Sequence, residues 1–245
     1  MSTLTDRQDA FGHAIYDYLH GDAGAACVVE RDDNLIEAGA DMSLYSGDFP
    51  TWPRHQREAI RFARGRVLDI GCGAGRCLLY LQQNGHDVMG IDVSPHAVKL
   101  CRERGARQVR LMSITALSRR LGRFDTIIMY GNNFGLVENP RRAAWLLKKM
   151  HGLTSPAGRI IAESRNPYIS PKPEHIEYHR RNRRRGRMPG QTRIKVRYKR
   201  YATPWFDWLL VSPDEMRDLM TGTGWHVARL FDSGCVRYMA VIEKD

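Results

Sequence analysis

From Arg66 to Glu163 the chain alternates short apolar runs with longer amphipathic stretches. The runs Val67-Leu68-Asp69-Ile70, Val88-Met89-Gly90-Ile91, Val109-Arg110-Leu111-Met112, 124–129 and 159–163 are rich in β-formers and bounded by Gly, Asp or Asn, which predicts strands. Helices are predicted between them over 76–84, 95–104 and 141–151, with Ser94 as an N-cap ahead of Pro95 at the first helical position. Strands alternating with helices in this way predict an α/β fold built on a mostly parallel sheet.

The flanks break that rhythm. Residues 4–20 and 53–64 read as helices and 41–51 as loop, so 1–64 is expected to form a helical N-terminal cover. Residues 166–190 hold four prolines, two glycines and a run of arginines, and are expected to form an inserted, flexible cap. Over 193–199 polarity alternates strictly, with Ile194, Val196 and Tyr198 on one face and cations on the other, as in a half-exposed strand. A second strand is predicted over 205–211, making 166–211 a β-rich lid. Ser212-Pro213-Asp214-Glu215 spells a capping box opening a short helix that Gly222 closes. Stretches 225–231 and 236–243, joined through Asp232-Ser233-Gly234, predict an antiparallel terminal hairpin. The expectation is one domain over 1–245: cover 1–64, cofactor-binding core 65–165, lid 166–211, and terminal helix and hairpin 212–245.

Composition narrows the class. With 42% hydrophobic and 27% charged residues and no apolar run near the roughly 20 residues of a membrane span, no membrane insertion is expected. Residues 1–9 carry acids rather than the apolar segment of a secretory signal, and the five cysteines form no C-x-x-C pair, so a reduced, cytoplasmic protein without a disulfide framework is expected. Of the nine histidines only His175 and His179 are spaced to share an ion, and their proline-rich flank argues against it, so no metal is expected. The net charge of +11 is local. Residues 172–200 carry twelve Lys/Arg against Glu174 and Glu177, leaving the rest of the chain nearly neutral.

The chemistry concentrates at Val67-Leu68-Asp69-Ile70-Gly71-Cys72-Gly73-Ala74-Gly75-Arg76, a strand entering a glycine-rich turn that opens a helix. Glycines admit positive φ and close ligand approach, and a helix N-terminus offers N–H groups to an anion. Asp92 ends the next strand, where an acid can accept two ribose hydroxyls, so the pair reads as a nucleotide or nucleoside site.

The G-x-G-x-G spacing behind Asp69, together with Gly90-Ile91-Asp92-Val93-Ser94-Pro95, resembles the class I S-adenosylmethionine-dependent methyltransferases over residues 60–165. The resemblance implies a Rossmann-like fold and S-adenosylmethionine as cofactor, with S-adenosylhomocysteine as product. It implies that Gly71, Cys72, Gly73 and Gly75 cradle the methionyl part, with Asp69 holding the loop or the amino group. Asp92 would hold the ribose, Val93 would lie against the adenine, and Met112, Ser113 and Ile114 would meet its edge. Many members carry Asp where Ser113 stands, so a hydroxyl or main-chain group would hold the adenine amine here. Tyr130 and Gly131 would contact the amino-acid end, and Asn132 and Asn133 would border the acceptor.

Methyl transfer from a sulfonium is an in-line displacement, so alignment and water exclusion matter more than a base. The segment 131–135 lacks the prolines typical of enzymes acting on exocyclic amines of nucleic acids, and no cysteine lies between Cys101 and Cys235 to form a pyrimidine adduct. Small-molecule members of the resembled family place extra strands where 166–211 lies. The acceptor pocket is therefore expected to draw on Arg165, Asn166, Tyr168 and Tyr178, with His175 and His179 as candidate bases and Tyr45 and Trp52 closing it. The expected reaction is methyl transfer to O or N of a small-molecule acceptor, a class that includes anionic ones such as a carboxylate or phosphate ester. The alternative is an RNA, DNA or protein methyltransferase whose arginines 180–200 track a phosphate backbone.

Overall fold

The computed structural model describes residues 2–39, 41–232 and 236–245. In chain order its first half holds α1 (Ala10–Leu19), β1 (Val28–Arg31), β2 (Ile36–Ala38), α2 (Arg54–Ile60), β3 (Arg66–Ile70), α3 (Arg76–Gln83), β4 (Asp87–Asp92), α4 (Pro95–Glu103) and β5 (Val109–Leu111). The second half holds β6 (Phe124–Met129), α5 (Pro140–Leu153), β7 (Thr154–Arg165), α6 (Pro173–Arg184), β8 (Gln191–Tyr198), β9 (Tyr201–Ala202), β10 (Phe206–Leu209), α7 (Pro213–Met220), β11 (Trp225–Asp232) and β12 (Arg237–Lys244).

Two compact units form, each from separated stretches of chain. The first draws on Met1–Trp52, Gly65–Ala116 and Ile194–Phe206. In it β3, β4 and β5 run parallel, Val67 beside Val88 and Ile91 beside Arg110. Helix α4 starts as predicted: Ser94 Oγ accepts from Ala97 N and Pro95 occupies the first turn. Helix α1 buries Ala10, Ala14 and Ile15 among Cys27, Met42, Leu100 and Tyr198. This unit corrects the expectation of an all-helical cover, because β1 and β2 form an antiparallel hairpin, closed by Asn34 at φ 68°. Strand β1 pairs in turn with β8, Val28 opposite Arg197 and Arg31 opposite Ile194. Both hairpin strands are too short to reveal a period, and the pairing that stabilises them comes from far along the chain.

The second unit draws on Pro53–Arg64, Leu117–Arg193 and Asp207–Asp245. Strands β6 and β7 are parallel, β12 runs antiparallel to β7, and β11 antiparallel to β12, giving the predicted hairpin. Its expected turn residues Ser233 and Gly234 lie outside the described residues. Ile127, Ile128, Ile160, Ile161, Val241 and Ile242 are buried, as continuous apolar runs in a covered sheet require. Helix α7 opens with the predicted capping box, Ser212 Oγ accepting from Glu215 N and Glu215 Oε2 from Ser212 N. Helix α6 corrects the expected irregular cap. Pro173 sits in its first turn, where a proline costs nothing, so the prolines mark a helix start rather than a break. The parallel strands β3–β5 and β6–β7 with their helices make an α/β fold, to which the C-terminal hairpin and the set β2–β1–β8 add antiparallel strands.

Candidate functional site

In the first unit the glycine turn leaves β3 and enters α3 with Gly71, Gly73 and Gly75 at φ 71°, 54° and 83°. These values belong to the left-handed region, which costs an ordinary L-residue about 1–2 kcal/mol. A Cβ on Gly75 would also lie 2.9 Å from Cys101 Sγ, whereas one on Gly73 would meet nothing within 4 Å. Asp92 grips the turn from the end of β4: its Oδ2 accepts from Gly73 N at 2.9 Å, and its Oδ1 accepts from Ser94 N at 2.9 Å. Cys101 Sγ donates to Gly73 O at 3.1 Å, and Arg104 donates to Ala74 O at 2.7 Å and to Ser46 O at 3.3 Å.

Asp69 is buried, and its Oδ2 has no hydrogen-bond partner among the described residues. Burial, reinforced by the Asp92 carboxylate, pushes the Asp69 carboxyl up to about 7 against the opposing pull of Arg76. Burial raises Asp92 as well, although N–H donors from Ser94 and Gly73 oppose it. Two carboxyls short of compensating charge beside a glycine cradle suit a ligand bringing a cation and hydroxyl donors.

The remaining residues expected around the cofactor also lie here, apart from Tyr130 and Gly131. Val93 is half-buried and its carbonyl accepts from Leu4 N; Met112 N donates to Asp92 O at 2.7 Å. Ser113 Oγ is engaged with Thr115, 2.9 Å from its hydroxyl, and Ile114 is buried. Cys72 is buried with its Sγ 3.9 Å from Cys101 Sγ, packing beneath the turn. Tyr45 stands edge-on to Phe11, and Trp52 is buried with its indole donating to Gly47 O and the Arg76 guanidinium 4.3 Å from its ring centroid.

In the second unit the loop after β6 is organised by Glu163, a residue that sequence reasoning did not single out. Its Oε2 accepts from Gly131 N at 2.7 Å and Asn132 N at 3.2 Å, Gln56 Nε2 donates to both oxygens, and His55 Nε2 lies 3.5 Å away. Burial works to raise the Glu163 carboxyl, but His55, Arg237 and Gln56 together hold it below its ordinary value. Tyr130 donates its hydroxyl to Gln56 O, and Asn132 sits at φ 67° with its Oδ1 buried and without a hydrogen-bond partner among the described residues. Asn133 opens the 3-10 turn that follows. Glu163 closes a predicted strand and so reads as ordinary sheet; its charge in an otherwise apolar run was the available signal.

Of the expected acceptor residues, Arg165 is exposed at the end of β7, and Asn166 Oδ1 accepts from Tyr168 N. The Tyr168 hydroxyl donates to Glu215, and burial together with that carboxylate raises the phenol to about 12. Helix α6 presents Tyr178 and His179 on its buried face, His179 edge-on to Tyr168 at 5.8 Å and Tyr178 accepting from Arg193 N. His175 Nδ1 lies 2.7 Å from Ser170 Oγ. Tyr168, His179 and Tyr178 thus gather around one helix.

The basic segment is extensively paired. Arg180 and Arg184 meet Glu177, and Arg187 and Arg193 approach Asp207. In the first unit Arg197 meets Glu30, and Lys199 bridges Asp17 and Asp22.

Residues 67–158 match a family described as a methyltransferase domain. Among solved structures, an S-adenosylmethionine-dependent methyltransferase from Bacteroides fragilis, in complex with S-adenosyl-L-homocysteine, has the same fold, with a TM-score of 0.82 at 24% identity over 99% of this chain and 98% of that one. A 2-heptyl-1-hydroxyquinolin-4(1H)-one methyltransferase of Mycobacteroides abscessus is 40% identical over 70 residues, 26% of this chain and 31% of the relative. Ribosomal RNA small subunit methyltransferase C of Alcanivorax borkumensis is 40% identical over 67 residues, 26% of this chain and 21% of the relative. The chain therefore spans less than a third of the length of these two relatives, and their names point to different kinds of acceptor.

Proposed function

We propose that the chain, whose residues 67–158 match a methyltransferase domain, is a class I S-adenosylmethionine-dependent methyltransferase that transfers a methyl group to oxygen or nitrogen of a small-molecule acceptor, anionic acceptors included. The observation that carries the cofactor half is the pairing of the glycine cradle with Asp92 and the uncompensated Asp69 carboxyl. The bound cofactor would supply an electrophilic methyl group on a sulfonium. Gly71, Gly73 and Gly75 would let its methionyl part approach the main chain, and Asp69 would take its ammonium as counter-charge. Asp92 would accept from the ribose hydroxyls, with Val93 and Met112 flanking the base and Ser113 or its main chain meeting the base's amine.

For the acceptor we favour a small molecule because six of the twelve cations of 172–200 pair with acids of this chain. Partner acids at Glu177, Asp207, Glu30, Asp17 and Asp22 leave fewer of them to neutralise a phosphate backbone. Of the two 40% identical relatives, the 2-heptyl-1-hydroxyquinolin-4(1H)-one methyltransferase agrees with this choice and the ribosomal RNA methyltransferase with the alternative. Asn132, Asn133, Arg165, Asn166, Tyr168 and Tyr178 of the second unit are the proposed acceptor residues. His179 or His175 would take the acceptor's proton where the acceptor is a neutral hydroxyl. No helix among the described residues is long and apolar enough to cross a membrane.

The test is incubation of the protein with methyl-labelled S-adenosylmethionine and a cell extract, followed by separation by size with and without nuclease. Label in new small species without nuclease supports this reading. Label that stays with large species until nuclease releases it would replace the acceptor with nucleic acid.

A further inference from the structure

Outside the cofactor cradle, the first unit gathers two imidazoles and a carboxylate that the sequence keeps far apart. Asp6 stands in the 3-10 turn before α1, His13 in α1 and His96 in the first turn of α4. Each offers one ligand atom, and the three atoms lie within 4.8 Å of one another. His13 Nε2 is 3.1 Å from Asp6 Oδ1, and His96 Nε2 is 3.8 Å from the same oxygen. The two rings are 3.9 Å apart between centroids.

The surroundings orient these groups. His96 Nδ1 lies 3.2 Å from Asp9 Oδ2, and Asp9 is fully buried. That same carboxylate accepts from Ser94 Oγ at 2.7 Å, from His96 N at 3.0 Å and, through Oδ1, from Gly12 N at 3.1 Å. Asp9 has only acceptors to offer, so the proton of His96 sits on Nδ1 and the lone pair on Nε2, the atom turned toward Asp6. A carboxylate behind an imidazole is the usual support for a metal-binding histidine, fixing both tautomer and ring direction. His13 is fixed differently, by stacking on Tyr201 with centroids 3.6 Å apart and planes 11° from parallel.

We propose that Asp6, His13 and His96 bind a divalent first-row transition ion of the zinc class. Two imidazole nitrogens and one carboxylate oxygen suit such an ion better than Mg²⁺ or Ca²⁺, which take oxygen ligands. With bonds of about 2.0–2.1 Å, ligands around tetrahedral zinc stand about 3.4 Å apart. The observed 3.1 and 3.8 Å to Asp6 bracket that spacing. Asp6 is exposed on a short turn and takes up the adjustment, leaving a fourth position for water. Such an ion would join the N-terminal arm to the start of α4, two residues beyond the backbone N–H of Ser94 that holds Asp92. This site stands independently of the methyl-transfer reading.

The experiment is titration of the chelator-treated full-length protein with Co²⁺, read by ligand-field absorption, followed by displacement with Zn²⁺. One equivalent per chain is expected, without sulfur-to-cobalt charge transfer, and lost in Asp6→Asn, His13→Asn and His96→Asn but retained in His20→Asn. Asp9→Asn, which preserves a side-chain cap for α1, should weaken binding about 10–100-fold. Should either histidine variant fail to fold, Asp6→Asn decides, because that side chain is exposed and buries nothing. Absence of a saturable equivalent in the wild type, or a spectrum unchanged in Asp6→Asn, overturns the assignment.

Discussion

Asp69 offers the sharpest test of the proposed cofactor cradle, because its charge state changes on binding if it takes the ligand's ammonium as proposed. In the ligand-free protein its carboxyl titrates near about 7 rather than 3.8, a difference worth about 4 kcal/mol in favour of the protonated form. The sign follows from proton linkage: the folded state holds this proton more tightly than the unfolded chain, so the group's contribution is present below 3.8 and lost as pH climbs through about 7. A ligand ammonium beside Asp69 restores the ionised form. If the bound state requires that form, apparent affinity tracks the ionised fraction of the free protein, which rises about tenfold from pH 6 to pH 8. Calorimetric titration with S-adenosylhomocysteine in two buffers of different ionisation enthalpy reads both quantities, the affinity and a release of close to one proton per site at pH 6. Asp69→Asn should remove its share of the slope, leaving the part due to Asp92, whose carboxyl burial also raises. The reasoning fails if affinity is flat across this range, or if its pH dependence is the same in Asp69→Asn.

Three further outcomes follow from the geometry. Asp92→Ala removes the acceptor for Gly73 N and Ser94 N as well as the proposed ribose contact, and should weaken S-adenosylhomocysteine binding by roughly 10–100-fold in equilibrium dialysis. Glu163→Gln should lower stability by about 1–3 kcal/mol in urea melts at pH 7, with the deficit shrinking as acid protonates the wild type, because a carboxyl held below its ordinary value stabilises only while ionised. Replacing His175 and His179 together with Asn should lower kcat on the acceptor more than cofactor affinity; unchanged kcat removes both from proton transfer.

The sequence is most legible where local rules act. The alternation over 66–163 and the glycine turn each rest on neighbouring residues, and β3, β4, α4 and the α7 capping box fall where periodicity and capping predict. The β1–β2 hairpin is invisible for the opposite reason: its stabilising partner, β8, is remote. Helix α6 is hidden because prolines around 167–173 read as a break, whereas Pro173 merely begins it. At the site, glycines and Asp92 announce themselves by type and spacing. Glu163, Arg104 and Asp9 do not, since each acts on backbone groups distant in sequence.

The pairing of β1 with β8 also sets a timetable for the nascent chain. About 160 residues separate Arg31 from its partner Ile194, and at roughly 5–20 residues per second a ribosome takes on the order of 10–30 s to add them. Throughout that interval Val28–Arg31 has only the short β2 beside it, and an isolated two-stranded hairpin is marginal in water. Its open edge is then available to any extended segment nearby, including its copy on the next chain of a polysome. Slow translation of the stretch between these strands should therefore favour aggregation, and a chaperone that shields the early hairpin should relieve it.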